Sequence, residues 1–130
     1  MKLGMTGSRN GMTYCAEKQL KTFLQENDII EAHHGDCVGA DNDFHNIVTE
    51  NNITTVIHPP VDSKARAFCS GSIVLPKKGY IERNHDIVDS TDLLIAFPSS
   101  TTEEKRSGTW ATIRYARKIG KRVIIIDPYA

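Results

Sequence analysis

Short apolar runs alternate with amphipathic stretches along the whole chain. The apolar runs predict about five strands, over residues 3–6, 29–33, 53–57, 93–97 and 122–126. The amphipathic stretches predict four helices, over residues 13–27, 41–50, 80–89 and 107–119. Strands that alternate with helices are joined by right-handed crossovers, which produce a parallel sheet. The pattern therefore predicts one Rossmann-like α/β domain over residues 1–130, with three layers, a mainly parallel sheet and the strand order 3-2-1-4-5.

Several local features refine this prediction. The runs 93–97 and 123–126 are wholly apolar, which is typical of strands covered on both faces. Residues 59–78 show no period, and a loop of that length inside a compact domain is usually functional or mobile. In the helix over 80–89, Ile81 and Val88 are expected to face the core. In sheets of this type, ligands lie outside the carboxyl ends of the strands, where the strand order reverses. The predicted crevice therefore lies between the first and the fourth strand.

The loop after the first strand begins with Gly7, Ser8 and Arg9. Glycine lets the backbone approach a ligand closely. The Ser8 hydroxyl and the forked Arg9 guanidinium are groups that bind phosphate. The alternative is an ordinary turn that carries a surface arginine.

The last helix opens with Ser107, Gly108 and Thr109. The amino terminus of a helix presents free N–H groups and the positive end of the helix dipole, which bind anions. A serine at this position also caps the helix without any ligand. Phosphate binding is predicted here because this loop and the first one should face the same crevice.

The segment after the second strand contains Gly35, Asp36, Gly39 and Asp41. Asp41 is predicted to cap the following helix. Asp36 is a candidate to bond a ribose hydroxyl or to transfer protons, and the sequence leaves these roles open. His33, His34 and Asp36 suggest a metal site, but neighbouring residues on a strand point to opposite faces. No metal site is therefore predicted.

Three further groups have competing interpretations. Arg83 either reaches the crevice or lies on a solvated helix face. The charged run 103–106 is either a solvated loop tip or a lid over a ligand. Trp110 either packs in the core or, because it follows the anion-binding turn, stacks on a base.

Charge and cysteine content narrow the function classes. Lys and Arg number 16, and Asp and Glu number 16, so the formal net charge is zero. This balance argues against a nucleic acid or a membrane as partner, and it favours a homodimer or larger homo-oligomer. The three cysteines form no CxxC pair, which indicates a reducing compartment. No signal peptide and no apolar stretch of the ~20 residues that span a bilayer is present, so a cytoplasmic protein is expected.

Taken together, these segments resemble the SLOG superfamily from about residue 3 to residue 126. The likeness is closest to the small YspA/YpsA-related proteins and more distant to the LONELY GUY (lysine-decarboxylase-like) phosphoribohydrolases. The resemblance implies a Rossmann-like fold that binds nucleotides or their derivatives, with no bound cofactor. The resemblance and the positions of the loops together predict a set of residues that bind the ligand or its phosphate. They are Gly7, Ser8, Arg9, Gly35, Asp36, Gly39, Asp41, Arg83, Asn84, Pro98, Ser107, Gly108 and Thr109.

The catalytic pattern of the phosphoribohydrolases is only partly present. Glu82-Arg83 resembles the pair that carries their catalytic arginine, and Gly108-Thr109 resembles the Gly-Thr of PGGxGTxxE. The catalytic glutamate of that motif falls on Thr112, which cannot act as a carboxylate does. The catalytic candidates that remain are Arg83, Glu82 and Asp36. The sequence leaves open which carboxylate replaces the glutamate, among Asp36, Asp41, Glu82 and Glu103.

Three functions follow from these patterns. The leading hypothesis is a protein that senses or carries a nucleotide-derived phosphate ligand. The alternative is a hydrolase that cleaves the N-glycosidic bond of a nucleotide or nucleoside. A third hypothesis is an assembly subunit whose crevice is vestigial.

Overall fold

The computed structural model describes residues 1–130 and contains six strands and four helices. The strands are β1 (Lys2–Gly7), β2 (Glu31–His34), β3 (Thr54–Ile57), β4 (Ile73–Val74), β5 (Leu93–Phe97) and β6 (Arg122–Ile125). The helices are α1 (Tyr14–Glu26), α2 (Ala40–Glu50), α3 (Tyr80–Asp89) and α4 (Gly108–Lys118). None of these helices combines the length and the apolar character needed to cross a membrane.

All strand pairs are parallel, and the order across the sheet is β4-β3-β2-β1-β5-β6. The predicted order is thus confirmed for the five predicted strands. The sequence missed β4, which adds an edge to the sheet within the segment predicted as a loop. A strand of two residues is too short to produce a visible period, and it is held by its pairing with β3.

Strand β5, which lies between β1 and β6, separates two apolar layers. Leu93, Ile95 and Phe97 belong to the core beneath α1 and α2, whereas Leu94 and Ala96 contact residues of α3 and α4. All five residues of β5 are buried, which confirms that it is covered on both faces. The run that forms β6 is only half-buried because β6 is an edge strand.

Helix α3 buries Val88, as predicted, but it does not bury Ile81. Ile81 is 75% exposed, whereas Arg83 is only 5% exposed. Arg83 and Ile87 lie four residues apart, so they share one face of the helix, and that face packs inward together with the adjacent Val88. The expectation for Ile81 was therefore wrong, because packing placed a guanidinium where an apolar residue was predicted.

The N-cap residues explain where helices α1, α2 and α4 begin. Thr13 and Ser107 accept hydrogen bonds from the amides of Ala16 and Trp110, as expected of N-caps. The prediction that Asp41 caps α2 was wrong. The N-cap is Gly39, with φ +92°, and a Cβ there would collide with the carbonyl oxygen of Arg9. Only glycine allows α2 to start this close to the loop after β1.

Candidate functional site

A cavity of about 410 Å³ lies at the carboxyl ends of β1 and β5, where the strand order reverses. This is the crevice that the topology predicted. Ten of the residues nominated for ligand binding line it, namely Gly7, Ser8, Arg9, Gly35, Asp41, Arg83, Asn84, Ser107, Gly108 and Thr109. The sequence did not single out the other lining residues, which are Met5, Thr6, Cys37, Tyr80, Ile87 and Ser99.

Four of the nominated residues do not line the cavity. Gly39 and Pro98 lie behind it, in the start of α2 and at the end of β5. Glu82 points to solvent, with its side chain 66% exposed and its Oε1 3.6 Å from Lys78 Nζ. Asp36 is fully buried, and it accepts hydrogen bonds from Arg66 Nε at 2.7 Å and from the Cys69 amide at 2.8 Å. Of the carboxylates considered for catalysis, Glu82 and Asp36 therefore do not reach the cavity, whereas Asp41 does.

The loop after β1 is held in one conformation by backbone hydrogen bonds. The Ser8 amide donates to Phe97 O at 3.0 Å, which ties the loop to the end of β5. The Ala40 amide donates to Ser8 O at 2.9 Å, which ties it to the start of α2. The Ser8 hydroxyl oxygen accepts from the Asn10 amide at 3.0 Å. The loop is therefore preorganised, and Arg9 extends from it as an exposed side chain.

Arg83 is the most unusual side chain of the cavity. Its guanidinium is buried, and no carboxylate lies within 4.0 Å of it. Nη1 donates to Gly35 O and, at 3.1 Å, to His58 O, and Nη2 lies 3.7 Å from Cys37 Sγ. Nε has no hydrogen-bond partner. A buried cation normally forms an ion pair, whereas Arg83 forms none and leaves Nε unpaired.

An aromatic ring connects the two arginines of the cavity. The guanidinium carbon of Arg9 lies 5.6 Å from the centre of the Tyr80 ring, and that of Arg83 lies 5.3 Å from it. Both distances are in the range of cation–π contacts. Tyr80 therefore helps to orient two positive charges toward one cavity.

Asp41 is the only carboxylate among the residues that line the cavity. Burial raises its pKa to about 6, against the opposing effects of a hydrogen bond from the Cys37 amide and the charge of Arg83. Thr112, which occupies the position of the family glutamate, is buried, and its hydroxyl donates to Gly108 O at 3.0 Å. Thr112 does not line the cavity.

The other residues with competing interpretations lie outside the cavity. Trp110 is buried and packs against Ala96 and Ile113, so it is a core residue. In the charged run, Glu103 is about half exposed and accepts from Arg114 Nη1 at 2.9 Å. Arg114 thus holds this loop against α4 by a surface contact.

Four buried histidines lie behind the cavity in two hydrogen-bonded pairs. His33 Nδ1 lies 2.8 Å from His58 Nε2, and His34 Nε2 lies 2.9 Å from His45 Nδ1. Burial lowers the pKa of His34 to about 3 and that of His58 to about 4, and it also lowers the pKa of His33. His33 and His34 take part in different pairs, as expected of neighbours on a strand.

No protein-family model matches the chain, and no curated protein does. Among solved structures, it is similar to the molybdenum cofactor binding protein of Rippkaea orientalis, with 21% identity and a TM-score of 0.72 over 95% of this chain and 74% of that one. The Moco carrier protein of Chlamydomonas reinhardtii is 18% identical, with a TM-score of 0.69 over 96% and 75%. DNA processing protein A of Streptococcus pneumoniae is 19% identical, with a TM-score of 0.69 over 95% of this chain and 49% of that one.

The chain shares its fold with these proteins. Identities of this size establish a shared fold and no more. That fold agrees with the doubly wound sheet and with a cavity at the point where the strand order reverses.

Proposed function

We propose that this protein binds a small, phosphate-bearing ligand derived from a nucleotide, in the cavity at the ends of β1 and β5. It would act as a sensor or a carrier of that ligand. The site needs only groups that hold an anion, and these groups line the cavity.

The burial of the Arg83 guanidinium without an ion pair is the observation that supports the proposal most. A buried guanidinium without a carboxylate partner is costly in the free protein. A ligand phosphate in the cavity would supply the missing negative charge, and an unpartnered N–H could donate to it. Arginine suits this role because its planar fork matches the geometry of phosphate oxygens.

The start of α4 provides the second part of an anion site. Ser107 caps the helix, and Gly108 and Thr109 form its first turn beside the cavity. The free amides and the positive end of the dipole favour a negative group there. Nothing would contact a Cβ placed at Gly108, so the backbone is open on that side.

Two of the comparisons and the size of the cavity support a small ligand. Two of the solved structures with this fold are a binding protein and a carrier protein for the molybdenum cofactor. A cavity of about 410 Å³ is also within the range usual for small-molecule sites.

Arg9→Ala and Thr109→Ala are each expected to weaken binding of a nucleotide ligand without unfolding the protein. Each change removes a phosphate contact worth about 1.5–3 kcal/mol if it is charge-assisted, which corresponds to roughly 10- to 150-fold in affinity. A thermal-shift screen with nucleotides, nucleoside monophosphates, NAD and ADP-ribose would first identify a ligand, and calorimetric titration would then compare the variants. Arg122→Ala and Thr22→Ala, which change exposed residues away from the cavity, are the matched controls. Wild-type affinity in both test variants would overturn the assignment.

A second candidate function is hydrolysis of an N-glycosidic bond. The observation that favours it is the raised pKa of Asp41, whose side chain lines the cavity. A carboxyl with a pKa of about 6 inside a ligand cavity is suited to acid–base catalysis near neutral pH. In that case, chromatography would detect free base released from a nucleotide, and Asp41→Asn would abolish the release while ligand binding persists. A ligand recovered unchanged after long incubation with the wild-type protein would exclude this candidate.

We also propose that the chain belongs to the SLOG superfamily and is related to its YspA/YpsA-related and LONELY GUY-type proteins. The motifs given above support this assignment, together with the shared fold. A cytoplasmic location and a homodimer or larger homo-oligomer belong to the same proposal, and they rest on the neutral charge and the scattered free cysteines.

A further inference from the structure

We propose that His34, His45 and Cys69 form a binding site for one Zn²⁺-like transition-metal ion, separate from the ligand cavity. One ring nitrogen of each histidine and Cys69 Sγ all lie within 4.8 Å of one another, and His34 Nε2 lies 2.9 Å from His45 Nδ1. Both histidines are buried and Cys69 is half-buried. None of the three residues lines the cavity. The metal-site proposal therefore does not depend on the proposed function, and a test of one does not decide the other.

Three elements that are distant in the sequence supply the donors. His34 is the last residue of β2, His45 lies in α2, and Cys69 lies in the segment between β3 and β4. A fourth donor is close, because Asn42 Oδ1 lies 3.4 Å from Cys69 Sγ. Two imidazoles and a thiolate select Zn²⁺ and related ions over Mg²⁺ or Ca²⁺, which prefer oxygen ligands.

The backbone around Cys69 is held where this site needs it. The buried Asp36 carboxylate accepts from the Cys69 amide at 2.8 Å and from Arg66 Nε at 2.7 Å. Phe68, directly before the cysteine, has a φ of +57°, a conformation that is unfavourable for a bulky residue. Such a conformation persists only where the surrounding contacts enforce it, and here they hold the thiol beside the histidine pair.

Metal binding requires protons to move. The Asp36 amide donates to His34 Nδ1 at 3.0 Å, so the proton of neutral His34 is on Nε2, where it is donated to His45 Nδ1. Ligation through Nε2 shifts this proton to Nδ1 and gives up the hydrogen bonds of His34 to His45 and to the Asp36 amide. The Cys69 thiol releases its proton to solvent as the metal–sulfur bond forms, which gives up its hydrogen bond to Asn42 Oδ1. The loss of these hydrogen bonds costs less than the binding free energy that a structural zinc ion supplies.

A bound metal ion would stabilise the folded protein by cross-linking three parts of the chain. The metal would join β2 and α2 to the segment that carries Cys69, which lies between β3 and β4 and contains no helix or strand of its own. We therefore expect Zn²⁺ to raise the unfolding temperature of the protein and to protect this segment from proteolysis.

Titration of reduced, metal-free protein with Co²⁺ tests the proposal. The expected result is a near-ultraviolet sulfur-to-cobalt charge-transfer band that saturates at one ion per chain and disappears when Zn²⁺ is added. Cys69→Ser and His45→Gln are each expected to weaken Co²⁺ binding at least about a hundredfold, since both remove a direct ligand. Cys15→Ser is the matched control, because Cys15 lies on α1 and belongs to no metal-binding cluster. Absence of a saturable band in the wild-type protein, or an unchanged band in Cys69→Ser, would overturn the proposal.

A measurement on the unmutated protein covers the case in which a variant does not fold. Zn²⁺ is expected to slow alkylation of Cys69 by iodoacetamide at least tenfold, as followed by mass spectrometry of peptides, and to leave the rate at Cys15 unchanged. Equal rates at Cys69 with and without Zn²⁺ would contradict a metal–sulfur bond.

Discussion

Arg83→Met is expected to abolish binding of a phosphate-bearing ligand while the protein remains folded. Methionine has a similar length but neither charge nor donors, so the ligand would lose its buried cationic partner. Truncating one member of a buried, hydrogen-bonded charge pair costs about 2–5 kcal/mol of binding free energy, which corresponds to roughly 30- to 5,000-fold in affinity. This exceeds the effect expected for Arg9, because Arg9 is exposed and solvent screens its charge.

The stability of the free Arg83→Met variant should change much less than its affinity. The substitution removes the hydrogen bonds to Gly35 O and His58 O, which is unfavourable. It also removes a buried charge that has no carboxylate partner, which is favourable. Urea unfolding of the ligand-free protein would measure the balance, and the thermal shift caused by the ligand would measure binding.

Two comparison variants make this experiment specific. Arg83→Lys keeps the charge but loses the planar fork, so an intermediate affinity is expected. Arg114→Met removes an arginine that contacts only the loop over 103–106, so wild-type affinity is expected. A ligand that binds Arg83→Met as tightly as the wild-type protein would remove the main support for the proposed site.

Acid is expected to destabilise the protein steeply between pH 6.5 and pH 4. The unfolded chain protonates its histidines near pH 6.5, whereas folded His34 and His58 stay neutral until about pH 3 and pH 4, and the pKa of His33 is also lowered. Below pH 6.5 the unfolded state therefore binds more protons than the folded state at these three sites. Stability is complete above pH 6.5 and is lost as the pH falls.

Asp41 opposes this trend over part of the same range. Its pKa is raised from 3.8 to about 6. Between about pH 6 and pH 3.8, the folded state therefore holds a proton that the unfolded state has released. His34 and His58 against this one carboxyl leave a net uptake of about one proton on unfolding near pH 5, and the lowered pKa of His33 adds to it. At about 1.4 kcal/mol per proton and pH unit, the free energy of unfolding should fall by at least about 1.4 kcal/mol per pH unit.

Urea titrations at a series of pH values between 7.5 and 4.5, with a chelator present to keep the histidines metal-free, would measure this slope. His58→Gln should reduce the slope by about one proton, because it removes one of the buried imidazoles. A free energy of unfolding that stays constant from pH 7 to pH 5 would contradict the expected protonation of the unfolded state.

Most of the fold could be predicted from local patterns. The apolar run 93–97 predicted a strand covered on both faces, and β5 is such a strand. The alternation of elements predicted a doubly wound parallel sheet, and the crevice follows from its topology. The strand β4 was missed because two residues carry no period, and Ile81 was misplaced because an apolar residue in a first helical turn does not reveal which face will pack.

The candidate site was predictable only in part. The loop from Gly7 to Arg9 and the start of α4 stand directly after strands, so their position at the cavity follows from the topology. The assignments of Asp36 and Glu82 to catalysis depended on side-chain direction, which the sequence does not give. Asp36 turns toward Arg66 and Cys69, and Glu82 turns toward solvent.

Periodicity and chain connectivity were sufficient to predict the α/β class, the order of the five main strands and the loops that meet at one edge of the sheet. The folded protein was needed to show that Arg83 is buried without a carboxylate partner and that Asp41 faces the cavity. It alone brought together His34, His45 and Cys69, which lie 11 and 24 positions apart in the chain. The physical reason is that pairing of strands is repetitive and leaves a pattern in the sequence, whereas a contact between single side chains depends on how packed elements are rotated and leaves none.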